Sequence, residues 1–175
     1  MPSFARKRGF SLVELIVVVV IIGILAAIAI PRFSRGAAGA GGSGVKGNLS
    51  VLRNAIEMYY YEHNTYPGQN AAGAAAAGSE AAFVAHLTKF SDESGNVNDT
   101  KTAVYRFGPY LRKGVPACPV PPRAGKTGIK MLNGATAPAY DAAAADAGWV
   151  FNYETGDIVV NSNSTDPEGI AYDTY

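Results

Sequence analysis

The side chain with the most chemical leverage in this chain is Glu14, a carboxylate at the head of an apolar run, Leu15 to Ile30, that Pro31 closes. An ionised carboxylate deep in a membrane-length helix costs on the order of 3 kcal/mol on insertion scales, so one kept there requires a partner. The other residues able to do chemistry are scattered. His63, His86 and Cys118 lack the spacing of a zinc site, and two histidines on helical segments read as surface or packing residues. Gly39-Ala40-Gly41-Gly42-Ser43-Gly44 has the letters of Gly-x-Gly-x-x-Gly, but a dinucleotide site needs a preceding strand and a following βαβ unit. Gly125-Lys126-Thr127 echoes a phosphate-binding loop, yet Val120 stands where the leading glycine belongs. An anchored periplasmic enzyme would need a nucleophile–base pair or a metal cluster, and the sequence offers neither, so no catalytic residue is expected. The single cysteine excludes an intramolecular disulfide, and within Ala117-Cys118-Pro119 it reads as an inert buried thiol.

The element that must position Glu14 is a membrane-spanning helix. Arg6, Lys7 and Arg8 precede the apolar segment, the charge order that holds an N-terminus in the cytoplasm. Phe10 to Ile30 would make a helix of roughly 31 Å, close to the ~30 Å hydrocarbon core of a bilayer. Two plain readings compete here. A signal peptide would use Ala27-Ile28-Ala29 as its cleavage site, and an uncleaved anchor would use the length alone. Neither accounts for Glu14 or for the Gly9-Phe10 junction ahead of the apolar run.

The whole string Lys7-Arg8-Gly9-Phe10-Ser11-Leu12-Val13-Glu14-Leu15-Ile16, with an apolar helix and Pro31 after it, resembles the class III leader of type IV pilins and type II secretion pseudopilins. The resemblance implies cleavage after Gly9 by a prepilin peptidase, N-methylation of Phe10, and an assembly role for Phe10 and Glu14. Leu15, Ile16, Ile22, Ile30 and Pro31 then belong to the membrane and assembly helix. The physics is coherent. Cleavage creates an α-amino group at Phe10, and helices packed with a small axial stagger let the Glu14 carboxylate of one subunit meet the amine of the next. Each charge is then paired, so the apolar medium that penalises a lone carboxylate favours the assembled state. Glu14 would set subunit register, as one polar residue does in a coiled coil.

The remaining chain is long enough for one domain beyond this anchor. The formal net charge of +1 becomes −2 once the three cations of residues 1–9 are removed, and no basic stripe suggests nucleic acid. Six glycines in residues 36–47 predict a weak or absent helix, read as a linker or hinge. Helical periodicity returns from about Gly47 to His63, with Leu49, Leu52, Ile56, Tyr59 and Tyr60 on one face and Arg53 paired with Glu57 on another. Ser79 is a candidate N-cap for a second helix with Phe83, Leu87 and Phe90 on one face. Residues 91–102 read as a polar loop, and the prolines from Pro109 to Pro122 as a sheet edge or surface passage. Residues 148–153 and 157–161 flank Glu154-Thr155-Gly156 as a β-hairpin, with Trp149, Phe151 and Tyr153 on one face. The tail, Ser162 to Tyr175, is expected to be poorly ordered.

Leu52-Arg53-Asn54-Ala55-Ile56-Glu57-Met58-Tyr59 with His63-Asn64-Thr65-Tyr66-Pro67-Gly68 resembles the stem-helix end of the major, G-type pseudopilins. Phe83-Val84-Ala85-His86-Leu87-Thr88, Gly108-Pro109-Tyr110-Leu111 and the Gly148 to Gly156 hairpin are similar to their heads. The expected fold is therefore α+β and pilin-like: a long N-terminal hydrophobic helix, then a small head with an amphipathic helix on a short antiparallel sheet. The expected organisation is a leader (1–9), a transmembrane and assembly helix (10–35), a glycine-rich linker (36–47) and a periplasmic head (48–175). The resemblance implies self-polymerisation from the inner membrane, minor pseudopilins and an inner-membrane assembly platform as partners, and an assembly ATPase elsewhere in the machine. A type IV pilus subunit shares the N-terminal chemistry and is the alternative. No cofactor is assigned. The resemblance points to calcium in a C-terminal loop, with Asp141, Asp146, Asp157, Asp166 and Asp173 as oxygen donors, but their spacing matches no calcium-loop pattern and the site stays unassigned.

Overall fold

The computed structural model describes residues 10–175, with the backbone alone described over residues 30–38. The elements in chain order are α1 (Leu12–His63), α2 (Glu80–Thr88), β1 (Phe90–Ser91), β2 (Val97–Asn98), β3 (Gly128–Leu132), β4 (Ala147–Asn152) and β5 (Ile158–Val160), closed by a 3-10 turn at Tyr172–Thr174. The architecture is α+β, and the chain divides into two compact units at Ala38/Gly39.

In the first unit, Leu12–Ala29 is the one stretch among the described residues long and apolar enough to cross a membrane. Its large apolar side chains all stand open, from Val18 at 49% exposure to Leu12 at 73%. So long an apolar surface is incompatible with water and calls for lipid or neighbouring helices around it.

The second unit begins at Gly39, and its part of α1 supplies one wall of the core. Val45, Leu49, Leu52, Ile56 and Tyr59 recur at alternating four- and three-residue steps, and all are buried. They share one cluster with Phe83 and Leu87 of α2 and with Trp149, Phe151, Ile158 and Val160 of the sheet. Tyr60, expected on this face, is only half-buried. Arg53 and Glu57 were expected as an i,i+4 pair, but Arg53 turns to the sheet and tail, donating from Nη2 to the main-chain oxygens of Ile158 (3.1 Å) and Tyr175. Two main-chain oxygens held in place outcompete a solvated side-chain carboxylate whose pairing would contribute only a few tenths of a kcal/mol.

The glycine-rich run does not interrupt the helix, which corrects the expectation of a weak or absent one over residues 36–47. The reason over residues 41–44 is close packing. A Cβ on Gly41 would lie 2.9 Å from Val120 Cγ1, one on Gly44 3.2 Å from Pro119 Cβ, and one on Gly42 3.4 Å from the Tyr172 ring. These glycines let the backbone approach its neighbours, and that close packing offsets their poor helix propensity of ~1 kcal/mol each.

Ser79 caps α2 as its type suggests, with Oγ accepting from Ala82 N at 3.1 Å. Phe83 and Leu87 are buried, whereas Phe90 lies beyond the helix in β1. The polar loop after it contains a short β1–β2 ribbon turned by Asp92, whose carboxylate accepts from Ser94 N, Asn96 N and Asn96 Nδ2 at 2.9 Å each. The β4–β5 hairpin forms in the expected place, with Trp149 opposite Val160 and Phe151 opposite Ile158. Gly156 takes the left-handed conformation the turn requires, at φ +81°. Beside this antiparallel hairpin, β3, a segment the sequence did not mark as a strand, lies parallel to β4, so the three-stranded sheet is mixed with order β3-β4-β5. The tail is also ordered, against expectation: Tyr172 is buried, and Asp166 accepts from Glu168 N, Ile170 N and the Tyr175 hydroxyl.

Candidate functional site

Ser11 is the last residue before α1, and its carbonyl accepts the first helical bond, from Leu15 N at 3.1 Å. Four amides at a helix start have no intrahelical acceptor. Glu14, in the first turn, answers one of them: its Oε2 accepts from Ser11 N at 3.1 Å. This is the glutamate half of a capping box, and the carboxylate also meets the positive end of the helix dipole. Ser11-Leu12-Val13-Glu14 is the sequence signature of such a box, so Ser11 was legible as Glu14's partner although attention to charge alone passes over it. A carboxylate has about four acceptor positions, so one amide leaves Glu14 room for an amine from elsewhere. Capping and charge pairing are compatible roles.

The neighbouring residues are placed as follows. Phe10 precedes the helix and is 85% exposed. Leu15, Ile16 and Ile22 are on α1 with more than half their surface open. Ile30 and Pro31 fall in a part of α1 whose side chains are outside the described residues, and Gly9, with the rest of residues 1–9, lies outside them altogether.

Residues 4–30 match the prokaryotic N-terminal methylation motif. No curated protein and no solved structure matches the chain. The matched segment contains the Gly9-Phe10 junction, the Ser11–Glu14 cap and the whole exposed apolar stretch of Leu12–Ala29. A motif of this prepilin type implies processing by a prepilin peptidase, and with the apolar stretch it fits a membrane-anchored, single-pass chain.

The other candidate groups do not converge. Among the described residues, no three His, Cys, Asp or Glu side chains are arranged to hold a metal. Four of the five C-terminal aspartates have separate local partners for their carboxylates, and Asp157 is held by its main-chain N–H. Asp141 accepts from Ala143 N, Asp146 pairs with Lys126 at 2.7 Å, Asp157 N donates to Thr155 Oγ1, Asp166 organises the tail, and Asp173 receives Tyr140 N. Gly39 to Gly44 is helical, with no strand before it among the described residues, and Lys126 is committed to Asp146. Cys118 is buried with Sγ 3.3 Å from the Val120 carbonyl, and burial pushes its thiol pKa up.

The histidines are brought together, by packing. Tyr59 stacks on His63 at 4.1 Å between centroids and on His86 at 4.9 Å. His86 is wholly buried, and its Nδ1 accepts from Gly68 N at 2.9 Å, which fixes the neutral ring with the proton on Nε2. Burial, and then the nearby His63, lower its pKa to about 4. The sequence left surface and packing roles open for these histidines; the structure gives them packing, and the backbone acceptor role of His86 was not readable from the sequence.

Proposed function

We propose that this chain is a structural subunit of a type II secretion pseudopilus, of the major G type, made as a precursor and polymerised from the inner membrane. Arg6, Lys7 and Arg8 hold the leader in the cytoplasm, and the peptidase cleaves between Gly9 and Phe10. Phe10 becomes the first residue and carries the methylated amine. Glu14 then keeps its Ser11 amide and receives the Phe10 amine of a neighbouring subunit. The same two groups also attract each other weakly within one helix, so the gain on assembly is a difference and not the full Coulomb energy. The extraction work comes from an ATPase elsewhere in the machine.

The observation that carries this reading is the methylation motif over residues 4–30, coinciding with an exposed apolar helix whose first turn holds Glu14. The head motifs around Tyr66-Pro67-Gly68, Tyr110-Leu111 and the Gly148 to Gly156 hairpin favour secretion over pilus function, and the unpaired, buried Cys118 fits a head without a disulfide staple.

Intact-mass analysis of the purified mature chain tests the processing. Loss of residues 1–9 with one added methyl group is expected, and loss of residues 1–29 would return the segment to an ordinary signal peptide. A deletion strain separates the two filament roles: lost secretion supports the pseudopilus, whereas intact secretion with lost surface fibres transfers the chain to type IV pili.

A further inference from the structure

Five glycines fall in residues 39–47, a composition that does not sustain a helix unaided, since each lowers helix stability by roughly fivefold relative to alanine. The contacts that keep this stretch helical come from far along the chain. Tyr172 and the Tyr175 hydroxyl lie over Gly42, and the Lys46 ammonium sits 4.4 Å above the Tyr175 ring. Tyr172 and Tyr175 meet edge to face at 5.5 Å, and Tyr175 is tied down twice, by its hydroxyl to Asp166 Oδ2 at 2.6 Å and by its main-chain oxygen to Arg53. The second support, Pro119–Val120 under Gly41 and Gly44, is itself held by the tail. Both Ser162 Oγ and Ser164 Oγ donate to the Pro121 carbonyl, the latter at 3.0 Å.

We infer that residues 162–175 are a clasp that keeps the glycine-rich stretch 39–47 in helical form, so that this stretch winds or unwinds according to whether the tail is seated. The inference stands apart from the secretion assignment. It depends on three features together: poor local propensity, tail aromatics on the glycine face, and a tail anchored to α1 further along at Arg53. Downstream of this stretch α1 carries the large buried side chains Leu49, Leu52, Ile56 and Tyr59, which share the core cluster with Trp149, Phe151, Ile158 and Val160 of the sheet and so have support besides the tail. A seated tail therefore governs one segment of the helix and not its neighbour.

Hydrogen exchange on the full chain in detergent micelles tests this. The amides of residues 43–47 report on the glycine run, because their acceptors lie four residues earlier, and the amides of residues 52–60 are the control. With Tyr172→Ala, exchange at 43–47 is expected to accelerate about tenfold or more while 52–60 stays as in the parent. Tyr175→Ala, a milder change, is expected to give the same local pattern at smaller amplitude. Gly39 and Gly47 have open space around their Cβ positions. Adding Gly39→Ala and Gly47→Ala to Tyr172→Ala is thus expected to restore protection, by roughly fivefold for each. Unchanged exchange at 43–47 in Tyr172→Ala overturns the clasp. So does equal acceleration of both regions in Tyr172→Ala and Tyr175→Ala, which would make the tail a general support. Failure of the alanine pair to restore protection overturns it as well.

Discussion

Acidification should unlock the head at His86. The ring is fully buried, its Nδ1 is occupied as acceptor by Gly68 N–H, and burial with His63 nearby lowers its pKa from 6.5 to about 4. A proton added at Nδ1 would face the Gly68 amide N–H, so the charged ring must break that bond or leave its site. The unfolded chain, in contrast, takes up the proton near pH 6.5. The head's stability is therefore intact above pH 6.5 and falls as pH drops from 6.5 towards 4, because the unfolded state binds the extra proton over that window. The slope is about 1.4 kcal/mol per pH unit, for a total of about 3 kcal/mol, a large share of a typical domain's stability. Asp92, Asp146 and Asp166, whose pKa values are lowered from 3.8, lose their contributions only below that ordinary carboxylate value, so the window from 6.5 to 4.5 isolates imidazole. Two measurements check the reasoning: urea unfolding across this window, and an NMR titration of the His86 ring. His86→Asn, which keeps an acceptor for Gly68 N–H but does not titrate, should be less stable at neutral pH and flatter with pH. A His86 ring that titrates at or above 6.5, or a His86→Asn slope equal to the parent's, would refute the argument.

Three further outcomes are expected. Glu14→Gln retains an acceptor for the Ser11 amide but no charge, so membrane insertion should persist while assembly fails; electron microscopy showing normal filaments from this variant, or from Glu14→Ala, would remove charge pairing as the assembly device. Ser79→Ala deprives Ala82 N of its cap and should destabilise the chain by about 1 kcal/mol in thermal melting. Gly41→Ala should destabilise by roughly 1–3 kcal/mol through its clash with Val120, while Gly47→Ala, in open space, should stabilise by about 0.5–1 kcal/mol, and denaturant midpoints of the pair would reveal any reversal.

Local chemistry was the legible part of this chain. The Ser79 cap, the apolar row from Leu49 to Tyr59 and the turn at Gly156 are each specified by residues within a few positions of one another, and each is found where the sequence puts it. The N-terminal segment was legible for the same reason, although the Ser11–Glu14 capping pair was passed over. What escaped depends on distant partners. Gly128-Ile129-Lys130-Met131-Leu132 is short and broken by Lys130, and it becomes a strand because β4 lies parallel beside it. The glycine run is helical because Pro119, Val120 and Tyr172 crowd it, and the polar tail is ordered because Asp166 and Arg53 collect its ends. None of these pairings leaves a periodic trace in its own segment.

Arg53 of α1 holds Ile158 and Tyr175, partners 105 and 122 residues further on. The head is thus sewn shut with its last stitches. If the proposed function holds, a chain delivered across a membrane from its anchored N-terminus would present the row Val45 to Tyr59 before Trp149, Val160 or Tyr172 arrives to cover it. Contacts of such sequence separation form late and slowly. Under the proposed function the helix is bare and adhesive during that interval, and the completion of the C-terminal end, more than the emergence of the N-terminal half, would time the moment when a subunit can be handed on.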